Sequence, residues 1–120
     1  EHELWLITDS VCFSEDAKRG GIAVYFHFAR LPLVLDGLAV RTVCTHGPNL
    51  AIFPLQGDTR TMSVSLGRGW ISPHYGVQVE APVVRYSILD PDISKVRFAL
   101  LPFTELAQID KAGAALEYMR

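Results

Sequence analysis

Apolar and polar side chains alternate with a period of two through much of this 120-residue chain. Ile22, Val24, Phe26 and Phe28 alternate with Ala23, Tyr25, His27 and Ala29, which predicts a strand with one buried face. Met62, Val64 and Leu66 stand against Thr61, Ser63 and Ser65 in the same way, as do Val96, Phe98 and Leu100 against Lys95, Arg97 and Ala99. Leu38, Val40, Thr42 and Cys44 make another such face, and the run from Thr45 to Asn49 is dense in turn formers. Leu4 to Ile7 is apolar on both faces, the pattern of a central strand. In "LAIFPLQ", Pro54 lacks an amide donor, so the segment is expected at an edge or a bulge.

Roughly six to eight strands joined by short turns, with no helix between them, predict an all-β fold. The expected form is an antiparallel two-sheet β-sandwich with one C-terminal helix. Cys12 to Gly21 is a polar connection whose Gly-Gly favours a tight reversal. The tail changes period. Thr104 is placed to cap a helix in which Leu106, Ile109, Ala112, Leu116 and Met119 recur at spacings of three and four. Gly113 lowers its intrinsic helicity by about 1 kcal/mol relative to Ala, so the helix depends on packing against a sheet or a neighbour. The organisation read from this is a β-sandwich over 1–102 and an amphipathic helix over 103–120.

A chain of this length holds one domain with an adequate core. Its formal net charge of -2 leaves no basic footprint, so no nucleic-acid partner is expected. No apolar run approaches the ~18 residues of a membrane helix, so no membrane partner is expected either. The chain opens at Glu1 directly into a strand-like run, which reads as part of a longer polypeptide. Cys12 and Cys44 lack a CxxC spacing and are expected as buried thiols, with a disulfide open if the protein is exported. His2, His27, His46 and His74 are scattered, and a zinc site needs three or four convergent ligands. No metal and no cofactor are expected.

The stretch Arg68 to Leu89 is the densest in unusual residues. Val77, Val79, Ala81 and Val83 hold one phase of the strand pattern, then Val84, Tyr86 and Ile88 hold the other. A one-residue slip inverts every side chain, so a bulge near Pro82 is expected to bend the strand. His74 and Tyr75 resemble an acid–base pair. Neighbours on a strand point to opposite faces, however, and a Tyr with an ordinary pKa near 10 needs a cation to act as a base. No catalytic residue is assigned. Trp70, His74 and Tyr75 are the candidate carbohydrate contacts, with Trp5 and Tyr25 as further members of any aromatic platform.

"GWISPHYGVQVEAPVVRYS" resembles a segment near the C-terminal end of the heparinase II/III family of polysaccharide lyases. The likeness is carried by Gly69, Ser72, Pro73, Tyr75, Gly76, Ala81 and Pro82. "LWLITDSV", "YFHFARLPLVLDG" and "FALLP" are similar to further strands of those β domains, and the likeness covers about Glu3 to Pro102. The resemblance implies the distal β-sandwich of a bacterial, periplasmic or secreted lyase whose N-terminal α/α toroid carries the principal catalytic groups. Such a parent cleaves uronic-acid-containing polysaccharides, glycosaminoglycans among them, by β-elimination. The chain has no HxH or HxHxD stretch, so no catalytic or metal-ligating residue carries over. The implied partners are the toroid of the same parent and, through it, an acidic polysaccharide. The alternatives are a carbohydrate-binding module, which needs aromatics aligned on one flat face, and a structural or assembly β-sandwich.

Overall fold

The computed structural model describes residues 3–12, 21–55, 61–89 and 95–117. In chain order the elements are β1 (Trp5–Ser10), β2 (Ile22–His27), β3 (Leu33–Asp36), β4 (Ala39–Thr42), β5 (Asn49–Pro54), β6 (Met62–Ile71), β7 (Val79–Ile88), β8 (Lys95–Phe103) and α1 (Leu106–Glu117). They build one antiparallel sheet in the order β1-β8-β5-β4-β3 and a second in the order β2-β7-β6. This is the antiparallel two-sheet β-sandwich with one C-terminal helix that the alternation predicts.

The larger sheet has a core on each face. Val40, Ile52, Val96 and Phe98 face the smaller sheet and meet Phe28, Met62, Val84, Tyr86 and Ile88. Their sequence neighbours Ala51, Phe53, Ala99, Leu101 and Phe103 point the other way and are covered by Ala112 and Leu116 of α1. A period of two places successive side chains on opposite faces, so β5 and β8 serve both cores. Ala99, grouped with the polar phase of β8 by sequence, is fully buried for this reason.

Tyr86 ties the layers together. Its hydroxyl donates to the Leu38 carbonyl of the facing sheet at 2.7 Å, and its ring meets Phe98 and Phe26 at centroid distances of 4.9 and 6.1 Å. Burial pushes the phenol well above its ordinary pKa, because the anion would lose its hydration.

Several sequence expectations are corrected by the strand order. Leu4 to Ile7 falls on an edge strand, β1, rather than a central one. Of its residues, Leu4 packs on the helix-side core, whereas Trp5 and Leu6 are exposed at this edge. Pro54 lies in β5, the middle strand, not at an edge or a bulge. Leu55 N–H donates to the Arg97 carbonyl of β8, so the adjacent backbone nitrogen at Pro54 faces the β4 side. The ladder with β4 covers only Val40↔Ile52 and Arg41↔Ala51, so no partner there needs the missing donor.

No bulge occurs at Pro82. β6 and β7 pair without a break from Met62↔Ile88 to Ile71↔Val79, and β2 pairs with β7 in one register from Ile22↔Ile88 to His27↔Val83. The two apolar phases arise because β7 is buried on both faces. Val84, Tyr86 and Ile88 fill the inter-sheet core, while Ala81 and Val83 are buried on the outer face. Gly69 lies opposite Ala81, and a Cβ there would stand 3.0 Å from Val83 and 3.4 Å from the His27 ring. The missing side chain lets those two groups close over the strand.

The helix cap also differs from the expected Thr104 side chain. The Gln108 carbonyl oxygen Oε1 accepts from Glu105 N–H at 2.9 Å, from Thr104 N–H at 2.8 Å and from the Thr104 hydroxyl at 3.2 Å. Glu105 is therefore the capping position, and Gln108 three residues on reaches back to it. The apolar stripe lies on the protein's own sheet, with Leu116 and Ala112 buried and Ile109 packed beside them. Leu106 is exposed. Met119 lies outside the described residues, as do His2 and most of the Cys12–Gly21 connection. β1 and β2, on either side of it, belong to different sheets. Cys12 is exposed and Cys44 half-buried, both as free thiols, which corrects the expectation of two buried ones.

Asn49 holds the Thr45–Asn49 turn. Its Oδ1 accepts from Cys44 N–H at 2.7 Å and from the Thr42 hydroxyl at 2.8 Å, and its Nδ2 donates to the Cys44 carbonyl at 3.0 Å. Thr42, buried in β4, accepts in turn from Leu50 N–H at 2.9 Å. Asn49→Ala is expected to lower stability by about 2 kcal/mol, since it strands partly buried donors and an acceptor together. Urea unfolding measures this, and a loss below about 0.5 kcal/mol would mean that water replaces the amide fully.

Candidate functional site

The three sequence candidates lie on the hairpin of β6 and β7. Its inner half packs in the sandwich through Met62, Val64, Val84, Tyr86 and Ile88. Its outer part, from Arg68 to Ile71 and back from Val79 to Pro82, runs past the end of β2, whose pairing with β7 stops at Val83. Leu66 is 45 % and Trp70 61 % exposed, although both share the phase of the core residues Met62 and Val64. The molecule is accordingly spread out. Its extents are 49 × 42 × 20 Å, and its radius of gyration of 15.7 Å exceeds the roughly 13.6 Å of a compact domain of this length.

The tip is a tight turn. Val77 N–H donates to the His74 carbonyl at 3.0 Å, and Gly76 has φ 78°. Positive φ at the third residue, with Tyr75 before it at negative φ, is the pattern of a type II turn, in which glycine is favoured there. The Ser72 hydroxyl donates to the same carbonyl at 2.8 Å. Pro73 falls just past the end of β6, where no ladder bond needs its nitrogen.

An open depression of about 400 Å³ lies beside this turn, lined by Trp70, Ile71, Ser72, Gly76, Val77 and Gln78. Of the three candidates, Trp70 lines it. His74 and Tyr75 stand outside it on the turn itself, with Tyr75 fully exposed. Neither side chain makes a hydrogen bond or ion pair among the described residues, so nothing there orients or activates an acid–base pair. On the Trp70 face, Arg68 approaches Glu80 at 3.8 Å across the strands, both side chains exposed. Such a pair contributes little to stability and leaves the guanidinium able to exchange partners.

The depression is open to solvent. It offers an indole face, a hydroxyl and an amide, with a cation two residues from the indole on the same strand face. It provides no enclosed, water-free pocket in which a side-chain pKa would be tuned. The other aromatics do not extend the platform. Tyr25 lies on the outer face of β2 with the Arg85 guanidinium 5.8 Å from its ring centroid. Trp5 lies on β1 of the other sheet, its Nε1 donating to Glu3 at 3.0 Å. No single flat face gathers Trp5, Tyr25, Trp70 and Tyr75.

No family model, curated protein or solved structure matches this chain. Among the described residues, no group of three or more His, Cys, Asp and Glu side chains could hold a metal ion. No helix there is long and apolar enough to cross a membrane.

Trp70 was a candidate contact by type, but its exposure could not be read from its place in the strand pattern. Trp70 continues an apolar phase that is buried earlier in the same strand, and only the length of the facing sheet decides where burial stops. Arg68 interrupts that phase, and this was the available signal that the core ends before it.

Proposed function

We propose that this chain is a supporting, non-catalytic β-sandwich of a heparinase II/III-like polysaccharide lyase, and that its hairpin tip borders the sugar cleft of that parent. The observation that carries the reading is Trp70, exposed on a two-stranded arm with Arg68 on the same face. An indole stacks on the apolar face of a sugar ring, and a guanidinium pairs with a uronate carboxylate. The residues that carry the family likeness support a scaffold role for the segment. Gly69 admits Val83 and His27, Ser72 and Gly76 shape the turn, and Ala81 fits the buried outer face.

The test uses the 120-residue chain with alginate, heparin and hyaluronan. It is expected to fold, to produce no ultraviolet absorbance from unsaturated uronate, and to bind oligouronates weakly, perturbing the Trp70 indole signal in NMR titrations. Trp70→Ala is expected to weaken binding about tenfold, the equivalent of ~1.4 kcal/mol. Arg68→Ala is expected to weaken it and to flatten its salt dependence. A growing absorbance would place bond-breaking groups within these residues and overturn the reading. Absence of binding at about 10 mM oligouronate, a free energy near -2.7 kcal/mol, would remove the cleft-bordering role.

A further inference from the structure

β6 forms one edge of the smaller sheet, and at ten residues it is the longest outer strand of the protein. The other outer strands, β1, β2 and β3, have six, six and four. Edge strands are ordinarily protected by proline, lysine, a bulge or brevity. β6 has none of these: its sequence is MSVSLGRGWI, its register against β7 is unbroken, and Arg68 is its single charge.

The direction of its free backbone groups follows from two hydrogen bonds. Leu89 N–H donates to the Thr61 carbonyl, and Phe28 N–H donates to the Pro82 carbonyl. Antiparallel pairs alternate between bonded and non-bonded, so the odd-numbered residues of β6 bond to β7. The N–H and C=O groups of Val64, Leu66, Arg68 and Trp70 therefore point out of the sheet edge.

We infer that β6 is a homodimerisation edge, which pairs antiparallel with β6 of a second copy and joins the two three-stranded sheets into one. A two-fold axis perpendicular to the sheet through Gly67 sets Ser63–Ile71 against the same segment of the copy. The outward-pointing groups then meet as bonded pairs, Leu66 with Arg68 and Val64 with Trp70. This register is self-complementary in charge and in side-chain character. Each Arg68 lies across from an apolar residue, no like charges face each other, and Trp70 and Leu66, both exposed in the monomer, gain a neighbour. The full-length ladder to β7 holds the strand extended beforehand, so pairing orders little backbone. The depression at the turn shares Trp70 and Ile71 with the paired segment, while Ser72, Gly76, Val77 and Gln78 lie beyond it. A strand pair of this size covers less than the ~1,600 Å² of a standard interface, so a micromolar dissociation constant is expected.

Sedimentation of the full chain between about 1 and 500 µM, concentrations that bracket such a constant, tests the inference. The expected result is a monomer–dimer equilibrium in which amide exchange at Val64, Leu66 and Arg68 slows as concentration rises. Leu66→Lys sets a cation opposite Arg68 on both sides of the axis, and the dissociation constant is expected to rise roughly tenfold. Leu66→Glu, equally polar and of opposite sign, is expected to weaken the dimer less than the lysine does. A chain that remains monomeric throughout overturns the inference. So does a dimer indifferent to the charge at Leu66, or one that leaves those three amides unprotected.

Discussion

Phe98→Ala is expected to lower the free energy of unfolding by about 3–5 kcal/mol, a large share of the ~5–15 kcal/mol that holds a domain of this size together. Phe98 sits on β8, an interior strand of the five-stranded sheet, 1 % exposed. Its ring meets Phe26 of the facing sheet at 5.0 Å and 77°, an edge-to-face contact, and Tyr86 at 4.9 Å. The loss is expected at the upper end of the range because the surroundings cannot collapse. β8 is pinned by β1 on one side and β5 on the other, and Tyr86 is held by its bond to Leu38. The control is Phe98→Leu, expected to lose less than about 1.5 kcal/mol by keeping most of the volume. Denaturant titration of both variants checks this. A loss below about 1.5 kcal/mol for the alanine at an unchanged denaturant slope would show that the two sheets do not share one rigid core.

Leu116→Glu is expected to remove at least 3 kcal/mol, through a different core. Leu116 lies on the last turns of α1 and is buried against Phe53, Leu101 and Phe103 on the far face of the larger sheet. A carboxylate there loses its hydration with no cation among the residues of that cluster to compensate. Two routes are open to the variant. It can unfold as a whole at lower denaturant, or α1 can leave the sheet, which caps the loss at the docking energy of the helix. Circular dichroism separates them, since undocking lowers the helical signal while the near-ultraviolet bands of the Tyr86–Phe98–Phe26 cluster persist. A variant as stable as the parent would mean that the stripe of Ile109, Ala112 and Leu116 contributes nothing to the sheet beneath it.

The sequence pattern speaks reliably about faces and poorly about neighbours. The alternation at Ile22–His27 matches the half-buried and exposed positions of β2 one for one, because a strand on the outside of a sandwich has one wet face. The helical stripe was legible for the same reason. Strand order was not: β1 appeared central although Trp5 and Leu6 are exposed at the sheet edge, and β5 appeared peripheral although a proline matters only on the side where a ladder exists. At β7 the double phase suggested a bulge, whereas the residues that resolve it, Gly69 and His27, belong to other strands and announce nothing locally. The helix cap was misplaced by one residue because Gln108, rather than Thr104, supplies the accepting oxygen. At the candidate site, Trp70 could be read as a sugar contact by type. Its separation from Tyr75, and its nearness to Arg68 and Glu80, required the hairpin to be seen as an arm longer than the sheet it faces.

The pairing of β1 with β8 has a consequence for how the chain is made. Among the described residues, 5–10 ladder only with 95–100, so a ribosome must deliver β8 before the larger sheet can close. Until then the first strand waits without its mate, and the smaller sheet, complete once β7 emerges, offers its greasy inner surface to whatever is near.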